Sequence, residues 1–318
     1  MASAASGARH RVVIDTDPGQ DDAIAMLLAL ASPEIEVLGI TTVAGNVPLP
    51  LTTRNALRVV ELAGRTEVPV HAGAARPLQR APVTAEQVHG ETGLDGPELP
   101  EPTLAPREQH AVDFIVETLR REPAGSVTLC VLGPMTNLAL AFARAPEIVP
   151  RVARIVAMGG GRFEGGNITP VAEFNIFADP HAAQAVLHAG APVVLHPLDV
   201  THRALTSRER IAAFRGLGTR PGIAVADMLA FAQVYDMERY GAEGGPLHDP
   251  NVIAWLIRPD LYAGRDVNVE VETGSELTMG QTVIDWWGAT ARPRNAHVVR
   301  EVDDAAFFAL LVERIGRL

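Results

Sequence analysis

Arg11–Ala31 reads RVVIDTDPGQDDAIAMLLALA, and the order of its parts decides the fold. Arg11–Asp17 is a short β-branched run ending in acid, the pattern of a buried strand. Pro18-Gly19 makes a tight turn. Asp21–Ala31 then reads as an apolar helix. The alternation repeats downstream. Strands are expected over Glu36–Thr42, Val68–His71, Val127–Leu132, Val152–Met158 and Pro192–His196, with helices over Leu51–Ala63 and Gln109–Arg121 among them. Near-continuous apolar strands alternating with helices argue for an α/β fold with a parallel sheet covered on both faces. In such a sheet a functional residue belongs just after a strand, at its carboxyl end.

The last part of the chain is more helical, over Ile223–Tyr240, Pro250–Leu256 and Asp304–Leu318, with strand-like Val267–Glu272 and Ala296–Val302 between. No linker rich in Gly, Ser or Pro, no low-complexity tract and no repeat divides it. Residues 11–318 are therefore expected to form one domain behind a disordered tail over residues 1–10.

Composition narrows the function. The 318 residues carry 27 basic and 38 acidic side chains, a net charge of −11, which argues against a nucleic-acid or membrane-surface binder. Every one of the basic residues other than histidine is arginine, so Schiff-base, P-loop and S-x-x-K chemistries are excluded together. The single cysteine, Cys130, excludes an intrachain disulfide and a thiolate zinc cluster. The first ten residues are small and polar without an apolar core, so they are no signal peptide. No apolar run is long enough for a membrane span. A cytoplasmic protein is expected.

Asp15-Thr16-Asp17-Pro18-Gly19-Gln20-Asp21-Asp22 packs four carboxylates into eight residues directly after the first strand. The Pro-Gly turn folds the chain back, so Asp17 and Asp22 can face one point. Helix-start acids favoured by the macrodipole account for one or two of these carboxylates, not four. Crowded carboxylates call for a neutralising cation. With oxygen ligands and no cysteine or histidine cluster, that cation is Ca²⁺ or Mg²⁺ rather than zinc. A phosphohydrolase of the haloacid-dehalogenase type also begins D-x-D after a strand. Here proline follows the second aspartate, and no lysine exists to hold a phosphoryl group.

DTDPGQDDAIAML resembles the signature of the inosine–uridine-preferring nucleoside hydrolase family. Further landmarks match in family order: Val43-Ala44-Gly45-Asn46, His89-Gly90-Glu91-Thr92-Gly93-Leu94, Gly133-Pro134-Met135-Thr136-Asn137, Met158-Gly159-Gly160, Glu173-Phe174-Asn175 and His248-Asp249-Pro250. The resemblance implies an open, mostly parallel sheet with a Rossmann-like core flanked by helices. It implies an enzyme that replaces the base of a ribonucleoside with water at C1′, releasing ribose. It implies Ca²⁺ held by Asp17, Asp22, Asp249 and the Thr136 carbonyl, a water acidified by that cation as nucleophile, and Asp17 as general base. Asp21, Asn46, Met158, Asn167, Glu173 and Asn175 would bind the substrate, mostly through the ribose hydroxyls. Two amides around one carboxylate suit vicinal hydroxyls, since carboxylates only accept and amides do both.

His248 and His89 are the candidates to protonate the departing base, because an imidazole exchanges protons near neutral pH. Having both resembles members that accept inosine, uridine or cytidine. Residues Phe231–Tyr240, with Tyr235 and Tyr240, are expected to form a lid over the base. Thr136, after the fourth strand, also suits a helix cap by its hydroxyl. The substrate is expected to be a small ribonucleoside, with no nucleic-acid or membrane partner and a homodimer or homotetramer as the assembly. Two other readings stay open: a hydrolase of a modified or phosphorylated ribosyl compound, and a nucleoside- or ribose-binding protein without turnover.

Overall fold

A computed structural model describes residues 9–240 and 244–318, with the side chains of 236–240 outside the described set. Strand β1 (His10–Thr16) leads into a helix over Gln20–Ala31, then β2 (Ile35–Thr42), a helix over Leu49–Leu62 and β3 (Val70–Ala72). After a helix over Ala111–Arg121, the strands β4 (Val127–Val131), β5 (Val152–Met158) and β6 (Val193–His196) alternate with helices over Thr136–Arg144 and Pro180–Leu187. The C-terminal part adds long helices over Arg220–Tyr240, Pro250–Ile257 and Asp304–Ile315. It also adds the strands β7 (Tyr262–Val267), β8 (Val269–Val271), β9 (Thr282–Ile284) and β10 (Ala296–Val302).

The main sheet runs β3-β2-β1-β4-β5-β6-β10-β7. All its pairings are parallel except β10 with β7. Order reverses between β1 and β4. Their carboxyl ends therefore bound the crevice in which an open α/β sheet binds its ligand.

Alternation along β1 shows how both faces are filled. Val12 and Ile14 pack into a core with the helices Gln20–Ala31, Pro250–Ile257 and Asp304–Ile315, while Val13 joins the opposite core with Ala111–Arg121 and Thr136–Arg144. Burying one such side chain contributes about 2 kcal/mol. The Gln20–Ala31 helix is buried from Asp22 to Leu30, so it lies between sheet and outer helices without a solvent face. Cys130 is fully buried in β4.

Three expectations shift. His10 already belongs to β1, inside the stretch expected to be tail; residues 1–8 lie outside the described residues. The single strand expected over Val267–Glu272 is broken at Asn268. Asn268 gives its amide to Glu270 and to the Pro293 carbonyl, and β8 leaves the main sheet to pair with β9. The helix expected over Ile223–Tyr240 begins three residues earlier, at Arg220, and carries the whole Phe231–Tyr240 stretch. Among the described residues no helix is long and apolar enough to cross a membrane.

Candidate active site

The turn after β1 is organised by Asp22. From the first turn of its helix it reaches back, accepting from the Gly19 N–H at 3.0 Å, the Thr16 hydroxyl at 2.5 Å and the Asp17 N–H at 3.3 Å. Anionic oxygen at a helix N-terminus satisfies otherwise orphaned donors and suits the macrodipole. Asn46, after β2, locks the same turn. Its amide nitrogen donates to the Asp17 carbonyl at 3.1 Å and to Asp22 Oδ2 at 3.2 Å, and its backbone N–H donates to Asp17 Oδ2 at 2.8 Å.

Asp17 is fully buried, and its Oδ1 has no hydrogen-bond partner among the described residues. Two glycines leave room for it. A Cβ on Gly133 would stand 2.7 Å from Asp17 Cγ, and one on Gly45 would stand 2.8 Å from it. The backbone after β2 and after β4 thus closes on the carboxylate from two sides.

Asp249, at the start of the Pro250–Ile257 helix, completes the acids. One carboxylate oxygen from each of Asp21, Asp22 and Asp249 lies within 4.8 Å of the other two. Burial pushes Asp249 well above the usual carboxylate range, with Asp21, Asp22 and Asp17 adding to the push. Asp17 is raised in the same way by burial and then by Asp22; Asp22 is raised by burial and then by Asp21. A second buried acid, Asp15, is pushed up to about 7 by burial against bonds from Thr41 and Asn137.

Crowded buried carboxylates with an unpartnered oxygen fit a hard cation, and the oxygen-only donor set fits Ca²⁺ or Mg²⁺. The tight group takes in Asp21, read from sequence as a sugar ligand, while Asp17 lies behind it against Asp22. The Thr136 hydroxyl caps nothing: it donates to Asp179 Oδ2 at 2.7 Å, and Met135 stands at the cap position.

A cavity opens in front of the acids. Of the residues singled out from sequence, Asp21, Asn46, His89, Met158 and Asn167 line it, as do Glu173, Asn175, His248 and Asp249. Asp17, Asp22 and Thr136 sit behind its wall. Glu173 caps the short helix Phe174–Ala178, accepting from the backbone of Asn175, Ile176 and Gly160. Burial outweighs these bonds and pushes it up to about 7. Asn175 donates to the Leu132 carbonyl at 2.6 Å and touches Met158 Sδ at 3.5 Å, which ties the ends of β4 and β5 together. Asn167 accepts from the Phe174 N–H at 2.9 Å.

Imidazoles also meet in the cavity lining. His248 Nδ1 is 2.8 Å from the Thr201 hydroxyl, and its ring centroid is 5.8 Å from that of His202. Burial, then His202 and His89, push His248 down to about 3, so the ring is neutral at neutral pH. His202 is lowered by burial, against the nearby Glu164, whose Oε2 is 3.4 Å from its Nδ1.

His202 and Gln20 line the cavity but are not among the site residues expected from sequence, whereas Tyr235 is where the lid expectation put it. His202 lies six residues past β6, and the rule that chemistry follows a strand would have found it. Gln20 lies four residues past β1, and the same rule covers it. Tyr235, with Leu229 and Ala232, brings the Arg220–Tyr240 helix over the cavity. The Tyr240 side chain lies outside the described residues.

Residues 12–309 match the family model described as inosine-uridine preferring nucleoside hydrolase. The chain is 56% identical to an uncharacterised protein of Schizosaccharomyces pombe, over 97% of this chain and 99% of that one. It is 48% identical to a pyrimidine-specific ribonucleoside hydrolase, RihA, of Escherichia coli, over 96% and 97%. Among solved structures, a purine-preferring ribonucleoside hydrolase from Gardnerella vaginalis superposes with a TM-score of 0.90 at 32% identity, covering 96% of this chain and 98% of that one.

Proposed function

The chain belongs to the inosine-uridine preferring nucleoside hydrolase family, a hydrolase acting on N-glycosyl compounds, and from that premise we propose that it is a calcium-dependent ribonucleoside hydrolase acting first on pyrimidine nucleosides. The observation that carries the metal-dependent reading is the juxtaposition of Asp21, Asp22 and Asp249 within 4.8 Å beside the cavity. Preference for pyrimidine is supported by the 48% identity to an enzyme of that specificity.

Asp17, Asp22, Asp249 and the Thr136 carbonyl would hold the cation, with Asp21 close enough to join. When bound, the cation compensates the carboxylate charge and makes a water more acidic. The reaction forms a bond from water oxygen to C1′ and breaks the bond from C1′ to the base nitrogen, whose electron pair leaves with the base. Asp17 takes the water's proton; its bare Oδ1 is a ready acceptor. Asp21, Asn46, Asn167, Glu173 and Asn175 grip the ribose, and carboxylate charge beside the sugar favours the oxocarbenium-like transition state. Met158 packs against the sugar face. His248 packs beside the base, and His89, as the imidazolium, gives the base a proton as it departs, the proton taken up by Asp17 restoring the balance.

A cytoplasmic homodimer or homotetramer belongs to the same reading, and light scattering tests the assembly. The central experiment is reducing-sugar release from uridine, cytidine, inosine and adenosine, with calcium and after chelation, beside Asp17→Ala. Calcium-dependent release that is fastest on uridine and cytidine and absent in the variant is expected. Release indifferent to chelation, or equal in the variant, refutes the proposed machinery.

A further inference from the structure

Gln20 opens the Gln20–Ala31 helix and is 2% exposed. Its amide nitrogen donates to two backbone carbonyls, those of His89 and Asp95, each at 3.0 Å. Both amide protons are thereby committed, which fixes the orientation of the group. Turning the amide over would set its oxygen against two carbonyl oxygens. The Gln20 oxygen is therefore the atom that meets His89 Nδ1, at 2.6 Å. An amide oxygen only accepts, so Nδ1 must carry the hydrogen.

The loop that delivers His89 is held independently. Asn55 donates to the Thr92 carbonyl at 2.9 Å and to the Pro18 carbonyl at 3.1 Å, so residues 89–95 are fastened to the Pro18-Gly19 turn. Asp95 closes the same loop, accepting from the Glu91 N–H at 3.1 Å and from the Thr92 hydroxyl. Ring and acceptor are thus both anchored. The ring cannot swing to trade one nitrogen for the other without losing the 2.6 Å bond.

We propose that Gln20 is a positioning residue that holds neutral His89 as its Nδ1–H tautomer and presents a bare Nε2 to the cavity. Which nitrogen of an imidazole is protonated is set by the bond that the other one makes. Two protonation states of the ring, neutral Nδ1–H and imidazolium, keep the Gln20 bond; the Nε2–H tautomer breaks it. Proton exchange is therefore confined to Nε2. In the neutral ring Nε2 accepts from a substrate N–H or hydroxyl, and it gives a proton only from the imidazolium. The tautomer rests on Gln20 geometry alone; its use in catalysis rests on the hydrolase reading above.

The test uses the full chain with ¹⁵N-labelled histidine. Long-range ¹H–¹⁵N correlation, at a pH where the ring is neutral, reads which nitrogen bears hydrogen, and the His89 signals are identified by their loss in His89→Phe. A protonated-type Nδ1 and a bare-type Nε2 are expected in the wild type; an Nε2–H pattern overturns the proposal. Gln20→Leu removes the acceptor and should mix the tautomers and lower kcat about tenfold, the effect of one lost orienting hydrogen bond. Gln20→Glu keeps an acceptor oxygen for Nδ1 and should keep the Nδ1–H pattern, at a cost in loop stability because its second oxygen faces the His89 and Asp95 carbonyls. An unchanged pattern in a folded Gln20→Leu also overturns it. Should Gln20→Leu not fold, the wild-type spectrum and Gln20→Glu decide. An Nδ1–H wild type that releases no ribose from any nucleoside upholds the positioning and sinks the hydrolase reading instead.

Discussion

Gly133→Ala adds one methyl group and tests whether Asp17 must stand where it does. The new Cβ would lie 2.7 Å from Asp17 Cγ and nearer still to Oδ1, where 3.4 Å is ordinary contact. Oδ1, only 2.1 Å away, must therefore retreat by about 1.3 Å, since a packed interior transmits such strain rather than absorbing it. Its way back is closed: Gly45 lies against the other side, and Asn46 holds Oδ2 at 2.8 Å. A misplacement of about 1 Å costs roughly a hundredfold in rate, so kcat on uridine should fall between tenfold and a hundredfold. Overpacking costs about 1–3 kcal/mol of stability, so the variant should still fold. Reducing-sugar release measures the rate, calorimetric calcium titration the affinity, and circular dichroism the fold. Gly216→Ala is the control, because a methyl there meets nothing within 4 Å. A folded Gly133→Ala with kcat within threefold of wild type and unaltered calcium affinity would refute the placement of Asp17 in the chemistry.

Three further outcomes are expected. Chelation should lower the unfolding midpoint by several degrees, since a ligand at a hundred times its Kd stabilises by about 2.7 kcal/mol; in Asp249→Asn the chelator should make no difference. His196 is fully buried, neither ring nitrogen has a hydrogen-bond partner among the described residues, and burial pushes it from 6.5 down to about 3. The unfolded chain takes the proton first, so stability is complete above pH 6.5 and lost as pH falls toward 3. His196→Leu removes that loss and should gain on wild type by about 3 kcal/mol between pH 7 and pH 4.5 in urea titrations; a gap that does not change with pH refutes the buried-neutral assignment. Uridine should be hydrolysed about a hundredfold faster than deoxyuridine, because acids and amides left without the 2′-OH are unpaired, and comparable turnover would remove Asp21, Asn46 and Glu173 from the sugar contacts.

The β1 turn was legible because its chemistry is local. Strand, Pro-Gly turn and acids lie within a dozen residues, and β2, β4 and β5 announce themselves as buried apolar runs. What was not legible depends on contacts between distant segments. Tyr262–Val267 is mostly solvent-exposed, so its pairing with β10 has no apolar signature. Gln20 and His89 are 69 residues apart, and only the fold shows that one orients the other. Asn46 and Asn175 were read as amides free for sugar hydroxyls. Both amide nitrogens are spent on the protein's own oxygens, which leaves them to meet a ligand through their other atoms.

That commitment explains how so many carboxylates fold in one place. Asp22 takes hydrogen bonds from Thr16, Asp17, Gly19 and Asn46, so folding itself satisfies it and fixes the turn. Asp17 divides its two oxygens: Oδ2 is held by Asn46 and Oδ1 is left bare. Asp249 receives like-charge repulsion from three neighbours. Stability and ligand affinity are thus assigned to different atoms of one cluster. Replacing Asp22 should cost fold and affinity together, because its donors would be orphaned. Asp249→Asn should cost affinity while relieving the metal-free protein of a buried repulsion. The two variants should therefore move the metal-free unfolding midpoint in opposite directions, which separates a cluster built for a cation from one in which the acids merely cap a helix.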